Sequence, residues 1–535
     1  MLSKREAKKQ LKKQRKPSLN NLALMRKQKV IEVSKILHGG RLSSVREDVA
    51  KFTSSRKDDN RLATAVVDIN KVHVIMLMEQ KIIQWQDGAK ILKALSKQSS
   101  VKLDPSAEDV HMAVEEAVLK ETGPEVGGNL HIGKSRNDQV TTAIRMQLRN
   151  ELVQVLLKVL EMQESLIDTA SKHVETVILE YTHLQAAQPV TFAHYLLSHV
   201  QGLERDLERL QGAYERVNLC PLGAGALATT SFPIKRKRTA ALLGFKAVLE
   251  NSIDAVGSRD FILETQAALT LLAVNLSRLA EDLIIWSSQE FGTVELPDDF
   301  TSTSSIMPQK KNPEVLEVIR ARASYALGDF VASVAALKSL PSTYNLDFQE
   351  VTPKLWASTD NLASSLSIFS QLVPNLKVST NVASKAGAGF VGATELANML
   401  VCKYNIAFRT SHKIVGALVK SLIDAKQNLV DATPELMQKV AQQAVGIELM
   451  VKKQDMVECT NPRKIIETYK VQGGPSRVEV ERAITAQKKN MVSSKKSISK
   501  LKQNLAYAEN TLNSIVESYS LSNSELNVRL KNPDL

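Results

Sequence analysis

Phe261-Ile262-Leu263-Glu264-Thr265-Gln266-Ala267-Ala268-Leu269-Thr270-Leu271-Leu272-Ala273-Val274-Asn275-Leu276-Ser277-Arg278-Leu279-Ala280-Glu281-Asp282-Leu283-Ile284-Ile285 lies inside a segment, 254–290, that reads as one long helix. Its large apolar residues Leu263, Leu269, Leu271, Leu272, Leu276, Leu279, Leu283, Ile284 and Ile285 fall around much of the helix circumference rather than along one stripe. A helix of that kind is covered on most sides. It is therefore either the centre of a bundle or a surface that packs against further copies of the same chain.

Working outward, helical spacing predicts further segments at about 59–86, 107–121, 138–174, 188–216, 235–244, 313–338 and 353–371. Several exceed twenty residues, and alternating strand patterns are almost absent. Aromatic residues are 4% of the 535-residue chain, which fits a helical protein large enough for several domains. After Ala386-Gly387-Ala388-Gly389 shorter helices follow, over Ala393 to Ile423 and from Pro434 to Ala444, until Gly473-Gly474-Pro475-Ser476 breaks the chain. Beyond it Ile498, Leu501, Leu505, Ala508, Leu512 and Ile515 form a coiled-coil-like stripe. The expected organisation is a basic extension over 1–35, a helical domain over 36–138, a central bundle over 139–390, a helical domain over 391–487 and a helical extension over 488–535.

The formal charge of +13 is uneven: residues 1–35 contribute +10 and residues 481–535 contribute +4, so the body between them is close to neutral at −1. That argues against a dedicated nucleic-acid binder, although the basic tail can touch polyanions non-specifically. No apolar run approaches the roughly 18 residues of a membrane span, and the tail lacks the apolar core of a signal peptide. Cys220, Cys402 and Cys459 are far apart and show no metal-ligand spacing, which favours a reducing, cytoplasmic setting without disulfides.

Five polar stretches interrupt the helical pattern. The most concentrated is Thr303-Ser304-Ser305-Ile306-Met307-Pro308-Gln309-Lys310-Lys311-Asn312-Pro313. Asn312 is expected to cap the helix that follows, with Pro313 at its first position and Glu314 in its first turn. The loop thus ends on a positive helix terminus beside Lys310 and Lys311, a place suited to an anion. The others are Gly39-Gly40-Arg41-Leu42-Ser43, Gly127 to Asp138, Tyr181-Thr182-His183-Leu184-Gln185 and Tyr344-Asn345-Leu346-Asp347-Phe348-Gln349. Gly128 to Ser135 satisfies GxxxxGK[ST], but a phosphate-cradling loop needs a buried strand before it. Lys120 to Val126 is charged and carries Gly-Pro, so a nucleotide site is disfavoured. A lone histidine such as His183 is more often structural than catalytic.

Together these motifs resemble the fumarase/aspartase superfamily, and the Gln309-Lys310-Lys311 version resembles its argininosuccinate lyase family. Ser135-Arg136-Asn137-Asp138-Gln139-Val140, Ala187-Gln188-Pro189-Val190-Thr191-Phe192 and Pro221-Leu222-Gly223-Ala224-Gly225-Ala226-Leu227-Ala228 agree, in order, between about Gly39 and Gly474. The resemblance implies an all-α fold of three helical domains whose long-helix bundle forms the core of a homotetramer, with each site assembled from several subunits. It implies β-elimination of argininosuccinate to arginine and fumarate, in arginine biosynthesis, with no metal or organic cofactor. It also assigns roles. Ser304 is the base, Lys310 and Asn312 hold the carboxylate where charge develops, and His183 is the proposed acid, oriented by Glu317. Ser43, Ser135, Arg136, Asn137, Thr182, Tyr344 and Gln349 grip the substrate.

The chain departs from the family pattern at Lys134 (arginine is usual), Thr303 (glycine is common), Lys235 (an acid is usual) and Thr352, where a lysine is expected and Lys354 follows two positions later. Two alternatives stay open on the sequence: a relative that eliminates fumarate from another N-substituted aspartate, and a non-enzymatic structural relative.

Overall fold

The computed structural model describes residues 30–31, 45–98, 109–381 and 388–520. Ser43 and Gly39-Gly40-Arg41 lie outside the described residues, as do nearly all of the basic extension and residues 521–535. The helices that carry the argument are α1 (Ala63–Glu79), α2 (Trp85–Gln98), α3 (Val110–Thr122), α4 (Arg136–Lys172), α5 (Phe192–Val217), α6 (Asp260–Trp286), α7 (Glu314–Leu337), α8 (Phe348–Leu372), α9 (Ala393–Tyr404), α10 (Phe408–Asp424), α11 (Pro434–Val445) and α12 (Arg477–Tyr519).

Five of them close a ring: α4 packs on α5, α5 on α6, α6 on α7, α7 on α8, and α8 returns to α4. Leu148, Leu152, Leu156 and Val159 of α4, Leu269, Leu272 and Leu283 of α6, and Leu355, Leu366 and Phe369 of α8 are buried in a core shared with α1 to α3. The all-α class is thereby established. Among the described residues the strands are two-residue bridges apart from one antiparallel hairpin, β1 (Val177–Thr182) with β2 (Gln185–Thr191). A second core, separate from the first, joins Leu396 and Leu400 of α9, Ile414, Leu418 and Leu422 of α10 and Met437 of α11 with Met456.

The stripe from Ile498 to Ile515 lies on α12, which packs back along α4 and α5 of its own chain. Three- and four-residue spacing is common to a two-stranded seam and to a helix lying on a bundle, so the pattern fixed the face and not the partner. Residues 487 and 488 lie within this one continuous helix, and residues 138 and 139 lie within α4.

Three local expectations are corrected. Residues 188–191 are strand, and the helix starts at Phe192, where Thr191 accepts the His194 amide at 3.1 Å. Asn312 does not cap α7; it pairs with Ser302 in a short bridge, and Pro313 occupies the cap position. The helix expected from Pro353 begins at Phe348. Proline removes one bond from the ladder, yet the turn ahead is already nucleated by Phe348, Gln349 and Glu350 amides donating to the carbonyls of Asn345, Leu346 and Asp347 at 3.2, 2.9 and 3.1 Å. Gln349 and Thr352 therefore share a helix face. Helix α2, absent from the sequence expectation, buries Ile91, Leu92, Ala94 and Leu95.

Of the apolar circumference of α6, Leu271 and Val274 stay 46% and 49% exposed. Beside them α7 exposes Val318, Tyr325, Leu327, Val331 and Val334, at 36% to 63%. Within one chain the bundle thus leaves apolar side chains of α6 and α7 uncovered.

Candidate active site

The first group of site residues stands at the entry to α4. Ser135 caps the helix in a reciprocal box: its hydroxyl accepts the Asn137 amide at 3.4 Å, and its own amide donates to Asp138 at 3.0 Å. The other Asp138 oxygen accepts the amides of Gly223 and Gly225 at 2.9 and 2.8 Å. Both glycines have left-handed backbones, φ 85° and 64°, which residues with a Cβ adopt at a cost and which aim their amides at the carboxylate. Asp138 is fully buried, and burial pushes its carboxyl up to about 6 although three amides pull the other way. Asp138 so ties the Ser135-Arg136-Asn137 turn to the Pro221–Ala226 loop, to which Asn137 also donates, at the Ala226 carbonyl (3.0 Å). Asp138→Ala strands three amides, two of them buried, and should lower unfolding free energy by about 3–5 kcal/mol, read from a denaturant midpoint; a loss within ~0.5 kcal/mol would contradict this tie.

Arg136, ion-paired with Asp109, lines a cavity of about 90 Å3 together with Tyr344, Gln349, Thr352, Asp59 and Arg259. Asp109 also accepts the Met112 amide at 2.7 Å, capping α3. Burial pushes the Asp59 carboxyl up to about 6, opposed by a hydrogen bond from Ser55. Tyr344 meets Phe348 edge-on at 5.6 Å, and burial raises its phenol pKa. Gln349 donates to the Thr53 carbonyl at 3.1 Å. Gly257 allows this corner to close, because a Cβ there would stand 2.9 Å from the Thr343 nitrogen.

The second group is the 304–310 loop, tied at its base by Ser302 pairing with Asn312 and Thr303 with Lys311. Inside it the Ser304 hydroxyl oxygen accepts the amides of Ile306 and Met307 at 3.3 and 3.1 Å. Lys311 is engaged by Asp298 at 2.6 Å and Glu295 at 3.1 Å. Lys310 is exposed and forms no ion pair among the described residues, so it is the lysine of the pair left for a ligand. Asn312 donates to the Ser302 hydroxyl at 3.4 Å. Glu317 is exposed in the first turn of α7.

The third group is the hairpin tip. Thr182 pairs with Gln185, and His183 and Leu184 form the two-residue turn with φ 56° and 57°. Such a turn suits the twist of a hairpin but normally selects Asn and Gly. A histidine held there is a local strain of the kind concentrated at functional sites. The hairpin is braced by Tyr181 against Phe291 (5.0 Å, edge-on) and by Gln188 donating to the Tyr469 hydroxyl at 3.3 Å.

The structure brings Arg136, Tyr344 and Gln349 to one cavity and places Ser135 and Asn137 beside it. Among the described residues no hydrogen bond or ion pair links that cavity to Ser304 or to His183, and Glu317 makes none to His183. Lys134 turns inward to Asn70 and is buried. What precedes Gly128 is helix, α3 and the short Pro124–Gly127 turn, and not a strand, which removes the phosphate-loop reading. Asp59, Asp109 and Arg259 were not singled out from the sequence; they are brought to the cavity from three separate elements.

A fold of this kind with these loops defines a superfamily of lyases, and the family model described as "Lyase" matches residues 45–328. The model described as "Argininosuccinate lyase C-terminal" matches residues 390–467. The chain is 43% identical to an argininosuccinate lyase of Methanococcus vannielii over 89% of this chain and 100% of that protein. It is also 43% identical to one of Methanocaldococcus jannaschii, over 84% and 93% of the two chains. The structure of an EDDS lyase in complex with formate superposes with a TM-score of 0.81 at 30% identity, covering 86% of this chain and 92% of that one. A class II fumarase from Schistosoma mansoni shares the fold, with a TM-score of 0.65 at 18% identity over 76% and 90%. The chain belongs to the argininosuccinate lyase family, and it is a carbon–nitrogen lyase.

Proposed function

We propose that the protein splits argininosuccinate into arginine and fumarate by β-elimination, with Ser304 as the base. The observation that carries this is the pair of backbone amides, from Ile306 and Met307, aimed at the Ser304 oxygen in the loop that also carries Lys310. A serine hydroxyl is a weak base in water. Amide donors preorganised around its oxygen stabilise the alkoxide it needs to become. Ser304 removes the proton from the carbon beside a succinyl carboxylate. Lys310, with Asn312, holds that carboxylate as negative charge builds on it. The C–N bond then breaks, and the departing guanidino nitrogen takes a proton from His183, which Glu317 orients. Arg136, Asn137, Thr182, Tyr344 and Gln349, together with Ser43 and Ser135, grip the substrate.

Among the described residues no hydrogen bond or ion pair joins the three groups, and the family resemblance supports a complete site assembled between subunits. The uncovered apolar face of α6 and α7 supports a homotetramer built on that bundle. No helix among the described residues is long and apolar enough to cross a membrane; the working location is the cytoplasm. Incubation with argininosuccinate is expected to release fumarate, followed by its ultraviolet absorbance. Absence of product at saturating substrate would overturn the reading in favour of another N-substituted aspartate.

A further inference from the structure

The turn that carries His183 holds two consecutive residues in the left-handed region, and such a turn persists only where its surroundings hold it. Its hairpin is also irregular. Glu180 pairs with Gln188 but Tyr181 pairs with Ala186, so Ala187 is an extra residue and the ladder bulges there. A bulge bends its strand and re-aims the residues beyond it. Everything past this one, from Tyr181 to Ala186, is the tip with His183. Thr182, His183, Leu184 and Gln185 are exposed, so packing at the tip does little to fix where the ring stands.

The bulged side is held from the second core. Gln188, next to the bulge, donates to the Tyr469 hydroxyl at 3.3 Å. Burial and the Glu395 carboxylate of α9, to which that hydroxyl is hydrogen-bonded, push the phenol up to about 12, so it keeps its proton and donates it to Glu395. Glu395 also accepts the Asn398 side-chain amide at 2.9 Å. Gln188, Tyr469 and Glu395 thus form a chain of one direction, amide to hydroxyl to carboxylate, in which each bond polarises the next. Tyr469 follows the short helix Pro462–Thr468, which packs against β2, and Val391 meets Leu179 of β1. Gly474 lets the chain fold back over the Tyr469 carbonyl, which a Cβ would strike. We propose that Tyr469 is a positioning residue for the reaction: its hydroxyl, held by Glu395, pins the bulge of the hairpin and so sets where His183 stands. This rests on the reading that His183 is the acid of the elimination.

The test follows fumarate release by the full-length enzyme in two backgrounds. Tyr469→Phe keeps the ring and loses only the hydroxyl. It is expected to lower kcat roughly 3–10-fold, the worth of one hydrogen bond, with KM and the unfolding midpoint unchanged. Gln188→Leu breaks the same link from the hairpin side and is expected to give a similar loss, with no further loss when the two are combined. Glu395→Ala should behave like Tyr469→Phe, whereas Glu395→Gln, which still offers the hydroxyl an oxygen, should keep most of the rate. In a His183→Ala background Tyr469→Phe is expected to change kcat by less than about 2-fold, because it acts only through that ring. The proposal is overturned by a Tyr469→Phe enzyme with the parent kcat, by equal losses in the two backgrounds, or by a change confined to KM. A His183→Ala enzyme that keeps the parent rate defeats the acid reading, and this proposal with it. A slow His183→Ala beside an unaffected Tyr469→Phe defeats the proposal alone.

Discussion

Ser304→Ala is expected to lower kcat by roughly 10²–10⁴-fold, the usual span for a positioned proton-transfer group, while the thermal unfolding midpoint stays where it is. The reasoning is local. The Ser304 hydroxyl supports no packing: it sits in a loop whose neighbours Ile306 and Met307 are 83% and 39% exposed. Its loss leaves two amides free, but they stand at the surface, where water replaces the oxygen. The loop keeps its shape because Ser302–Asn312 and Thr303–Lys311 pairing and the Lys311 ion pairs hold its base. In the proposed mechanism, what is removed is the oxygen that takes the proton. KM should change little, since the proposed mechanism has the succinyl carboxylate held by Lys310 and Asn312. Turnover within a few-fold of the parent enzyme would take the base role away from Ser304.

Val331→Asp is expected to break the assembly, giving a particle of one quarter the parent mass in sedimentation, and to lower activity by at least ~10²-fold. Val331 is 56% exposed in the chain, yet it stands between Leu327 and Val334 on one stripe of α7, four and three residues away. An apolar stripe of this kind on a bundle helix fits the proposed interface between subunits. A carboxylate placed at its centre loses its hydration with no partner, which costs several kcal/mol per copy, multiplied by symmetry. The fold of the single chain should survive, because Val331 contributes nothing to the buried core of its own bundle. In the proposed assembly activity goes because the Arg136 cavity, the Ser304 loop and the His183 hairpin meet only between subunits. A parent enzyme that already sediments as a single chain, or a dissociated variant that keeps its rate, would refute the shared-site reading.

Much of this was legible in the residues. Helices α4, α5 and α6 announce themselves by spacing, since thirty residues of repeated three- and four-residue intervals have few other ways to bury their side chains. The anion-facing character of the 304–313 loop was also legible, because it needs only a turn, two lysines and a helix start. The hairpin was not. Gln185-Ala186-Ala187-Gln188-Pro189 has weak strand character, and it is extended because β1 offers a partner and Leu179 packs against Val391 with Tyr181 and Ala186 beside them. The early start of α8 was hidden by Pro353 for the same kind of reason: a strong local signal was outweighed by turn carbonyls that the sequence does not display.

The sequence by itself determined the helical class, the apolar faces and the chemical types at each loop, since periodicity and side-chain chemistry are local properties. Which loops meet was decided only by the tertiary structure. Asp59, Asp109, Arg136, Arg259 and Tyr344 reach one cavity from five places in the chain, and the buried Arg259 Nε and Nη2 have no hydrogen-bond partner among the described residues. Burial without a partner is a property of surroundings, and no spacing of residues along a chain encodes it.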